Sequence, residues 1–375
     1  MNFGFTEEQE LLRAEVRKFL DARCPLEQVR ALMESERGYS PELWASLAEL
    51  GWLGLTIPEA HGGAGLGWVD FVVLLEETGR TLFPSPLVST TLAAAAILDA
   101  GSEEQKARWL PGIADGSRVG TLALLEANDV LAPSGIALLG KPDGDAFLLT
   151  GKKHFVADAG AANLFVVAFR SGAGAEDLSL AVLDGGAPGV SVKSGPTMDQ
   201  TKRMGTLVLD GARVPKSALL GEAGRAWPAI AKLFDRGAIA TTGEIIGAAE
   251  GALALTVQYA KDRIQFGNPI GKYQGVKHPL AEMYVDVEST KSLLYYAAWA
   301  LDESPGEVPR SASLAKAFAS DAFARIGIDG VQLHGAVGYT AEYDIQLYLK
   351  RSKWARPAYG DSDFHYERVA TLGGL

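Results

Sequence analysis

The amino-acid sequence predicts an α+β fold in which two helical regions flank a region of short strands. Up to about residue 118, apolar side chains recur at helical spacing. From about 119 to 225, short apolar runs are separated by glycine, proline and aspartate, the pattern of an antiparallel β-domain. From about 226 onward the spacing is helical again. We therefore expect an N-terminal helical domain (1–118), a middle antiparallel β-barrel domain (119–225) and a C-terminal four-helix bundle (226–375).

The N-terminal region carries recognisable helix starts. Thr6 and Gln9 have the spacing of a capping box, which predicts a helix that runs through Leu20. Pro41 is placed at the start of another helix, because proline is well tolerated at the first helical position. A further helix is expected over roughly 68–80.

The middle region is expected to contain strands that do not alternate with helices. This order disfavours a doubly wound parallel sheet, in which each strand is followed by a helix. The expected strands are Thr121–Leu125, Ala146–Leu149, Leu164–Phe169, Leu178–Leu183 and Thr206–Leu209.

The C-terminal region is expected to contain long helices with short connections. The predicted helices are Ala229–Arg263, Val276–Asp302 and Ser311–Leu333. Long apolar helices joined in this way favour a four-helix type of bundle, one that also packs against other subunits.

Composition excludes several classes of protein. The net charge of −11 comes without a basic stripe, which excludes a typical nucleic-acid binder. Cys24 is the one cysteine and the five histidines are scattered, so we expect neither a disulfide framework nor a bound metal. The apolar window around Thr90–Leu98 is too short to span a bilayer, and the start of the chain does not resemble a secretory signal. We expect a cytoplasmic protein without a membrane partner. The motifs of nicotinamide, nucleoside-triphosphate and serine-hydrolase enzymes are missing from the sequence.

Two segments of the C-terminal region carry a specific resemblance. The first is Arg263-Ile-Gln-Phe266-Gly267-Asn-Pro-Ile270-Gly-Lys-Tyr-Gln274, and the second is Gln332-Leu-His-Gly335-Ala336-Val-Gly338-Tyr339. They resemble the RxxFGxxIxxxQ and QxxGGxGY signatures of the acyl-CoA dehydrogenases, with Ala336 in place of the second glycine. The order of helical, β and helical regions is similar to that family over the whole chain.

The chemistry of these side chains suits a dinucleotide. A pyrophosphate needs a fixed cation, which Arg263 offers, and close backbone approach, which Gly335 and Gly338 allow. Alternatively, Arg263 only caps a helix end and the glycines only stop a helix. The resemblance implies FAD, bound by Arg263, Gln265, Phe266, Gln274, Gln332, Leu333, Gly335 and Ala336. It also implies that the two segments meet across a subunit interface in a dimer of dimers.

The resemblance implies a reaction and its partners. In this family a carboxylate takes the α-proton of an acyl-CoA thioester while the flavin takes the β-hydrogen as hydride, and the electrons pass to an electron-transfer flavoprotein. In most members the base is a glutamate near the C-terminus, a position that holds Tyr359 here. In a smaller group it lies early in the long helix before the Arg263 segment, at the position of Gly237. Neither position carries a carboxylate in this chain.

Glu244 is the preferred candidate for the base. It lies seven residues beyond Gly237, two turns along the same predicted helix and on nearly the same face. The positions three and four residues away hold no lysine or arginine that would make it a surface ion pair. The surrounding stretch resembles that of actinobacterial acyl-CoA dehydrogenases of sterol side-chain breakdown. The alternatives are that Glu244 is a helix-packing carboxylate, or that Asp235 is the base.

The middle region departs from the family as well. The hydroxyl side chains that usually bind the flavin ring are replaced by Leu125 and Ala157. The Phe155-Val-x-Asp158 form again resembles the sterol-degrading group, in which two different subunits often assemble and each contributes half of a site. Three interpretations stay open, of which the first two are a catalytic acyl-CoA dehydrogenase in a homo- or heterotetramer and a non-catalytic partner subunit. An oxidase or dehydratase with the same fold is a third. The small residues of the long helix suggest space for a branched or ring-bearing acyl group.

Overall fold

The computed structural model describes residues 4–375, which form helical regions at both ends of the chain and sheets between them. The predicted α+β class and the order of the regions are confirmed. The helices of the described residues are α1 Glu7–Arg23, α2 Leu26–Glu34, α3 Pro41–Glu49, α4 Trp68–Arg80, α5 Leu87–Ala100, α6 Glu103–Ala114, α7 Trp227–Asp262, α8 Gln274–Glu303, α9 Val308–His334, α10 Ile345–Ala355 and α11 Ser362–Leu372.

Local capping explains where the first helices begin. Thr6 and Gln9 form the predicted capping box, in which the Thr6 hydroxyl accepts from the Gln9 amide at 3.2 Å and the Gln9 side-chain carbonyl accepts from the Thr6 amide at 3.1 Å. Pro41 opens α3 behind the Ser40 cap, as predicted. The reciprocal bonds satisfy amides that a helix start otherwise leaves without partners.

The strands form two larger sheets and a short hairpin. They are β1 Gly120–Ala123, β2 Gly140–Asp143, β3 Ala146–Ala157, β4 Leu164–Arg170, β5 Leu178–Asp184, β6 Val190–Gly195, β7 Met204–Pro215, β8 Ile264–Gln265 and β9 Asn268–Pro269. One sheet has the order β1-β4-β5 and the other the order β2-β3-β7-β6.

The prediction of a purely antiparallel β-region is wrong in one strand pair. β1 pairs with β4 in parallel, while the other pairs are antiparallel. The chain leaves the first sheet after β1, forms β2 and β3 in the other sheet, and returns, so two non-consecutive strands become neighbours. The apolar side chains of both sheets share one core that includes Phe147, Phe165 and Phe169. Backbone pairing among the described residues leaves these sheets separate, and the barrel stays a prediction.

Two helices near the C-terminus were not expected from the sequence. α10 and α11 are short, and both pack against α9. Helices of this length are marginal on their own, and tertiary packing supplies most of their stability. Their sequences therefore carry little periodic signal, and only the packing partner shows that they form.

Contacts divide the chain into two compact units. The first, called the bundle unit here, comprises the chain up to Ala31, Trp68–Phe83 and Gly237–Leu375. The second, called the sheet unit, comprises Leu32–Gly67 and Pro84–Arg236. The boundaries of the three predicted domains stay a prediction.

The core of the bundle unit combines α4 with the C-terminal helices. Val72 of α4 lies in one buried apolar cluster with Ile239 and Ile246 of α7 and with Leu294 of α8. α9 adds small buried residues to the same cluster. The helix α7 is long and apolar enough to cross a membrane by length and composition, but 72% of its most apolar window is buried within the protein. We interpret α7 as the central helix of this core.

Glycines let α4 and α7 touch at the backbone. A Cβ atom on Gly247 of α7 would overlap the carbonyl oxygen of Glu76, and one on Gly79 of α4 would overlap the backbone of Glu244. Gly243 faces the side chain of Leu75, and a Cβ built on this glycine would lie 3.1 Å from the Cβ of Leu75. The space beside these glycines is therefore filled by α4. The expectation that Gly243 and Gly247 leave room for a bulky acyl group is wrong.

Candidate functional site

The first signature segment folds as a two-residue hairpin directly after α7. Phe266 and Gly267 form its turn, with φ of 52° and 76°. Positive φ at both central residues is the geometry of a tight hairpin turn, which glycine adopts readily and phenylalanine does not. Phe266 is 90% exposed at the tip, and the Tyr273 hydroxyl donates to the carbonyl of Gln265 at 3.1 Å. The segment therefore presents an aromatic face to the outside.

The second signature segment lies at the end of α9. Gly335 has a φ of 64°, and no atom lies within 4 Å of a Cβ built on it. Gly338 is buried, and a Cβ there would approach the carbonyl oxygen of Val331 to 2.7 Å. Gln332 and Ala336 are exposed, and Leu333 is half-buried. Gly335 thus leaves open space, whereas Gly338 is required by packing.

The end of α7, which leads into the first segment, packs against the second segment. Tyr259, in the last turn of α7, stacks on His334, the last residue of α9, with ring centroids 4.4 Å apart. Tyr343 packs against both rings. The implied meeting of the two segments across a subunit interface stays a prediction. Burial lowers the pKa of His334, which keeps its ring neutral between the two tyrosines.

This end of the bundle unit fits the pyrophosphate and adenine portions of FAD. Arg263 is exposed, and its side chain has neither a hydrogen bond nor an ion pair among residues 4–375. The Arg263 side chain does not cap the carbonyls of α7, which argues against the alternative that it only caps a helix end. Gln265 and Gln274 are exposed beside it. An exposed cation, an exposed aromatic ring and a glycine with open space match the groups that a dinucleotide requires.

Gly237 and Tyr359, the positions to which counting assigns the family's base, are in direct contact. Gly237 is buried in α7, and a Cβ on it would overlap the ring of Tyr359. The assignment of the two base positions by counting stays a prediction, and the contact between the two residues is compatible with it. The aromatic ring takes the room beside Gly237, so this glycine also does not provide space for an acyl group.

Glu244 lies on α7 and is 4% exposed. The backbone of Gly79 in α4 lies against the backbone of Glu244, and this contact fixes the position of Glu244 relative to α4. Seven residues separate it from Gly237, or about 10 Å along the helix axis. Nineteen residues separate it from Arg263, or about 28 Å. Asp235, the alternative base, is 3% exposed and belongs to the sheet unit.

Leu125 and Ala157, the two positions that lack the family's usual hydroxyl side chains, lie in the sheet unit. The carbonyl of Ala157 accepts from the Thr121 hydroxyl at 2.6 Å, and the carbonyl of Leu125 accepts from the His154 amide at 2.9 Å. The side chains at both positions are apolar. Phe155 and Asp158 have φ of 54° and 52°, and the Asp158 carboxylate accepts from the Ser89 hydroxyl at 2.7 Å.

Lys153 is a structural residue of this region that the sequence analysis missed. It is fully buried, and its ammonium donates to Glu126 at 2.9 Å and to the carbonyl of Leu124 at 3.1 Å. Glu126 also accepts from the amides of Ala137 and Leu138. Burial lowers the pKa of Lys153 to about 8, against the attraction of Glu126. The residue could have been found, because the two-residue alternation of β3 places it on the inward face.

Comparison with known proteins identifies the family of the chain. A profile of the N-terminal domain of the acyl-CoA dehydrogenases matches residues 6–117, and a profile of their C-terminal domain matches residues 224–372. The chain is similar to the acyl-CoA dehydrogenase IpdE2 of Mycolicibacterium smegmatis, with 35% identity over 92% of this chain and 93% of the relative.

Two solved structures show the same fold. The first, described as the Tcur3481-Tcur3483 steroid ACAD, has a TM-score of 0.88 and 34% identity over 98% of both chains. The second, the ChsE4-ChsE5 complex from Mycobacterium tuberculosis, has a TM-score of 0.90 and 28% identity over 100% of this chain and 99% of that chain.

Proposed function

Because this chain belongs to the acyl-CoA dehydrogenase family, whose members are FAD-dependent oxidoreductases acting on acyl-CoA thioesters, we propose that it introduces an α,β double bond into its substrate with Glu244 as the base. One observation carries the assignment of Glu244. The two usual base positions are filled by Gly237 and Tyr359 packed against each other, and Glu244 is a buried carboxylate on the same face of α7.

The proposed roles of the residues follow from their chemistry. When bound, FAD supplies the acceptor for the hydride that leaves the β-carbon. Glu244 accepts the α-proton on a carboxylate oxygen, and its burial keeps water from competing for that proton. Arg263 neutralises the pyrophosphate, while Phe266 offers a face to the adenine. The remaining proposed cofactor contacts are Gln265, Gln274, Gln332, Leu333, Gly335 and Ala336.

The proposed substrate is a ring-bearing or branched acyl-CoA. The support is the resemblance to a solved structure described as a steroid ACAD, and not the glycines of α7, which other side chains and α4 cover. We propose an electron-transfer flavoprotein as the acceptor, a homo- or heterotetramer as the assembly, and the cytoplasm as the location.

A second function has its own support. As a non-catalytic partner subunit, the chain would complete the FAD site of another chain through its Arg263 segment. Leu125 and Ala157 lack the hydroxyls that hold the flavin ring. The separation of about 28 Å between Glu244 and Arg263 along α7 favours sites shared between chains. One relative was solved as a complex of two differently named chains, ChsE4 and ChsE5.

The absorbance spectrum of the purified chain separates the two functions. Wild type, Glu244→Gln and Asp235→Asn are each mixed anaerobically with straight-chain and ring-bearing acyl-CoAs. Glu250→Gln is the matched control, because this carboxylate lies on the same helix and pairs with Lys291 at the surface. Flavin bleaching in wild type and in Glu250→Gln, but not in Glu244→Gln, is the expected result. A colourless protein would favour the partner-subunit function, whereas bleaching that Glu244→Gln retains would rule out the proposed role of Glu244.

A further inference from the structure

A fully buried lysine lies at the centre of α9. Lys316 is 0% exposed, and its ammonium donates to the Ser320 hydroxyl at 2.8 Å, to the carbonyl of Arg356 at 2.9 Å and to the carbonyl of Gly360 at 3.0 Å. An ammonium has three N–H groups, and all three are used. Two of the three bonds end on the backbone of the segment between α10 and α11.

That segment has an unfavourable backbone conformation. Tyr359 has a φ of 56°, in a region that residues with a side chain enter only at a cost of about 1 kcal/mol or more. Gly360 follows with a φ of 102°. His365 of α11 holds the carbonyl of Tyr359 at 3.0 Å. The carbonyls of Arg356, Tyr359 and Gly360 are thus bonded to side chains of α9 and α11, and such surrounding contacts are what a strained conformation requires.

The conformation of this segment decides where the Tyr359 ring lies. The ring covers the backbone of Gly237 so closely that a Cβ there would overlap it. Glu244 lies two turns further along nearly the same face of α7. The Tyr359 ring therefore covers nearly the same face of α7 that carries the buried carboxylate of Glu244, about two helical turns away from it.

We propose that Lys316 is a positioning residue that holds Tyr359 against Gly237 through the carbonyls of Arg356 and Gly360, and that the Tyr359 ring limits the size of the acyl group. The second half rests on the proposed function, since it concerns a substrate that reaches Glu244. The first half does not, because it concerns the position of one ring.

The contact by which Lys316 holds the segment between α10 and α11, called the clamp here, depends on the protonation of Lys316. The charged and titratable groups that face it are Asp321 on its own helix, Arg356 and Asp361 on the clamped segment, and His365 on α11. Burial lowers the pKa of Lys316 to about 7, and the pKa of His365 falls to about 3, so the histidine stays neutral throughout. A neutral amine keeps two N–H groups for three oxygens. The hold on the segment weakens as the pH rises above 7.

Fluorine NMR of the holoprotein labelled with 3-fluorotyrosine tests the clamp. The resonance missing in Tyr359→Phe identifies the ring. We expect Lys316→Met and Lys316→Gln to shift or broaden this resonance, and wild type to show the same change with a midpoint near pH 7. The matched control is Lys153→Met, which removes a buried lysine from the sheet unit and leaves the resonance in place. An unchanged resonance in a folded Lys316 variant would overturn the clamp. Should Lys316→Met not fold, Lys316→Gln and the wild-type titration decide the matter.

Calorimetric binding of acyl-CoAs tests the limit on size. Tyr359→Ala is expected to bind a steroid-sized acyl-CoA about tenfold more tightly than wild type, which corresponds to about 1.4 kcal/mol, and to bind butyryl-CoA unchanged. Tyr359→Phe keeps the ring and is expected to match wild type for both ligands. Equal changes for both ligands in Tyr359→Ala would refute the size limit. Binding needs no turnover, so loss of the proposed dehydrogenase activity would not affect this result.

Discussion

Replacing Gly247 by alanine tests the backbone contact that fixes Glu244. A Cβ on Gly247 would overlap the carbonyl oxygen of Glu76 and lie 2.7 Å from the amide nitrogen of Arg80. Both atoms belong to the backbone of α4, which cannot rotate away as a side chain can. Relief of the overlap therefore requires α4 and α7 to move apart.

The magnitude follows from two opposing effects. Alanine is preferred to glycine inside a helix by about 1 kcal/mol. Forcing extra volume into a packed core costs about 1 to 3 kcal/mol, and a clash with backbone belongs at the upper end. We expect Gly247→Ala to lower the free energy of unfolding by about 2 kcal/mol. The shift of α4 also displaces Glu244, whose backbone touches Gly79, so kcat should fall as well.

The control for this prediction is Gly275→Ala. Gly275 lies in the first turn of α8, and no atom lies within 4 Å of a Cβ built there. The same substitution should stabilise the protein by up to about 1 kcal/mol. Urea unfolding of both variants measures the difference. If both midpoints rise by similar amounts, the backbone contact between α4 and α7 does not exist as described.

Two further predictions concern charged residues. The folded-state pKa of Lys316 lies below its unfolded value, so the unfolded chain binds more protons than the folded protein between about pH 7 and 10.5. The free energy of unfolding should therefore rise through this window by up to about 1.4 kcal/mol per pH unit. Lys316→Met should abolish that contribution in urea titrations at several pH values. Arg263→Ala should lose FAD on gel filtration without a change in the unfolding midpoint of the FAD-free protein, since the side chain is exposed. Arg213→Ala, which removes an exposed arginine paired with Asp145, should retain FAD. Retention of flavin by Arg263→Ala would remove Arg263 from the site.

Features with a local cause could be predicted from the sequence. The capping box at Thr6 and Gln9, the start of α3 at Pro41 and the three long C-terminal helices depend on neighbouring residues, and each was found at or near its predicted place. Counting from the signature segments selected Gly237 and Tyr359, and the structure places these two residues in contact, while their assignment as base positions stays a prediction.

Features with a distant cause could not be predicted. The parallel pairing of β1 with β4 depends on which sheet each strand joins, and strand-like composition does not carry that information. The glycines of α7 look the same in the sequence whether a substrate or another helix lies beside them. Lys316 resembles any lysine in a helix, because the oxygens that hold it lie about forty residues further along the chain.

The bundle unit is built from three separate stretches of the chain, and this affects how the protein can be made and cut. The apolar faces of Ile239, Ile246 and Leu294 are covered in part by Val72, which is synthesised more than 150 residues earlier. A fragment that begins at Trp227 would expose this surface and aggregate. During synthesis the face of α4 that packs against α7 and α8 stays uncovered until those helices have left the ribosome, and such long-range contacts form slowly. Helix α4 can therefore become part of this core only after α7 and α8, which lie far behind it in the sequence, have been made.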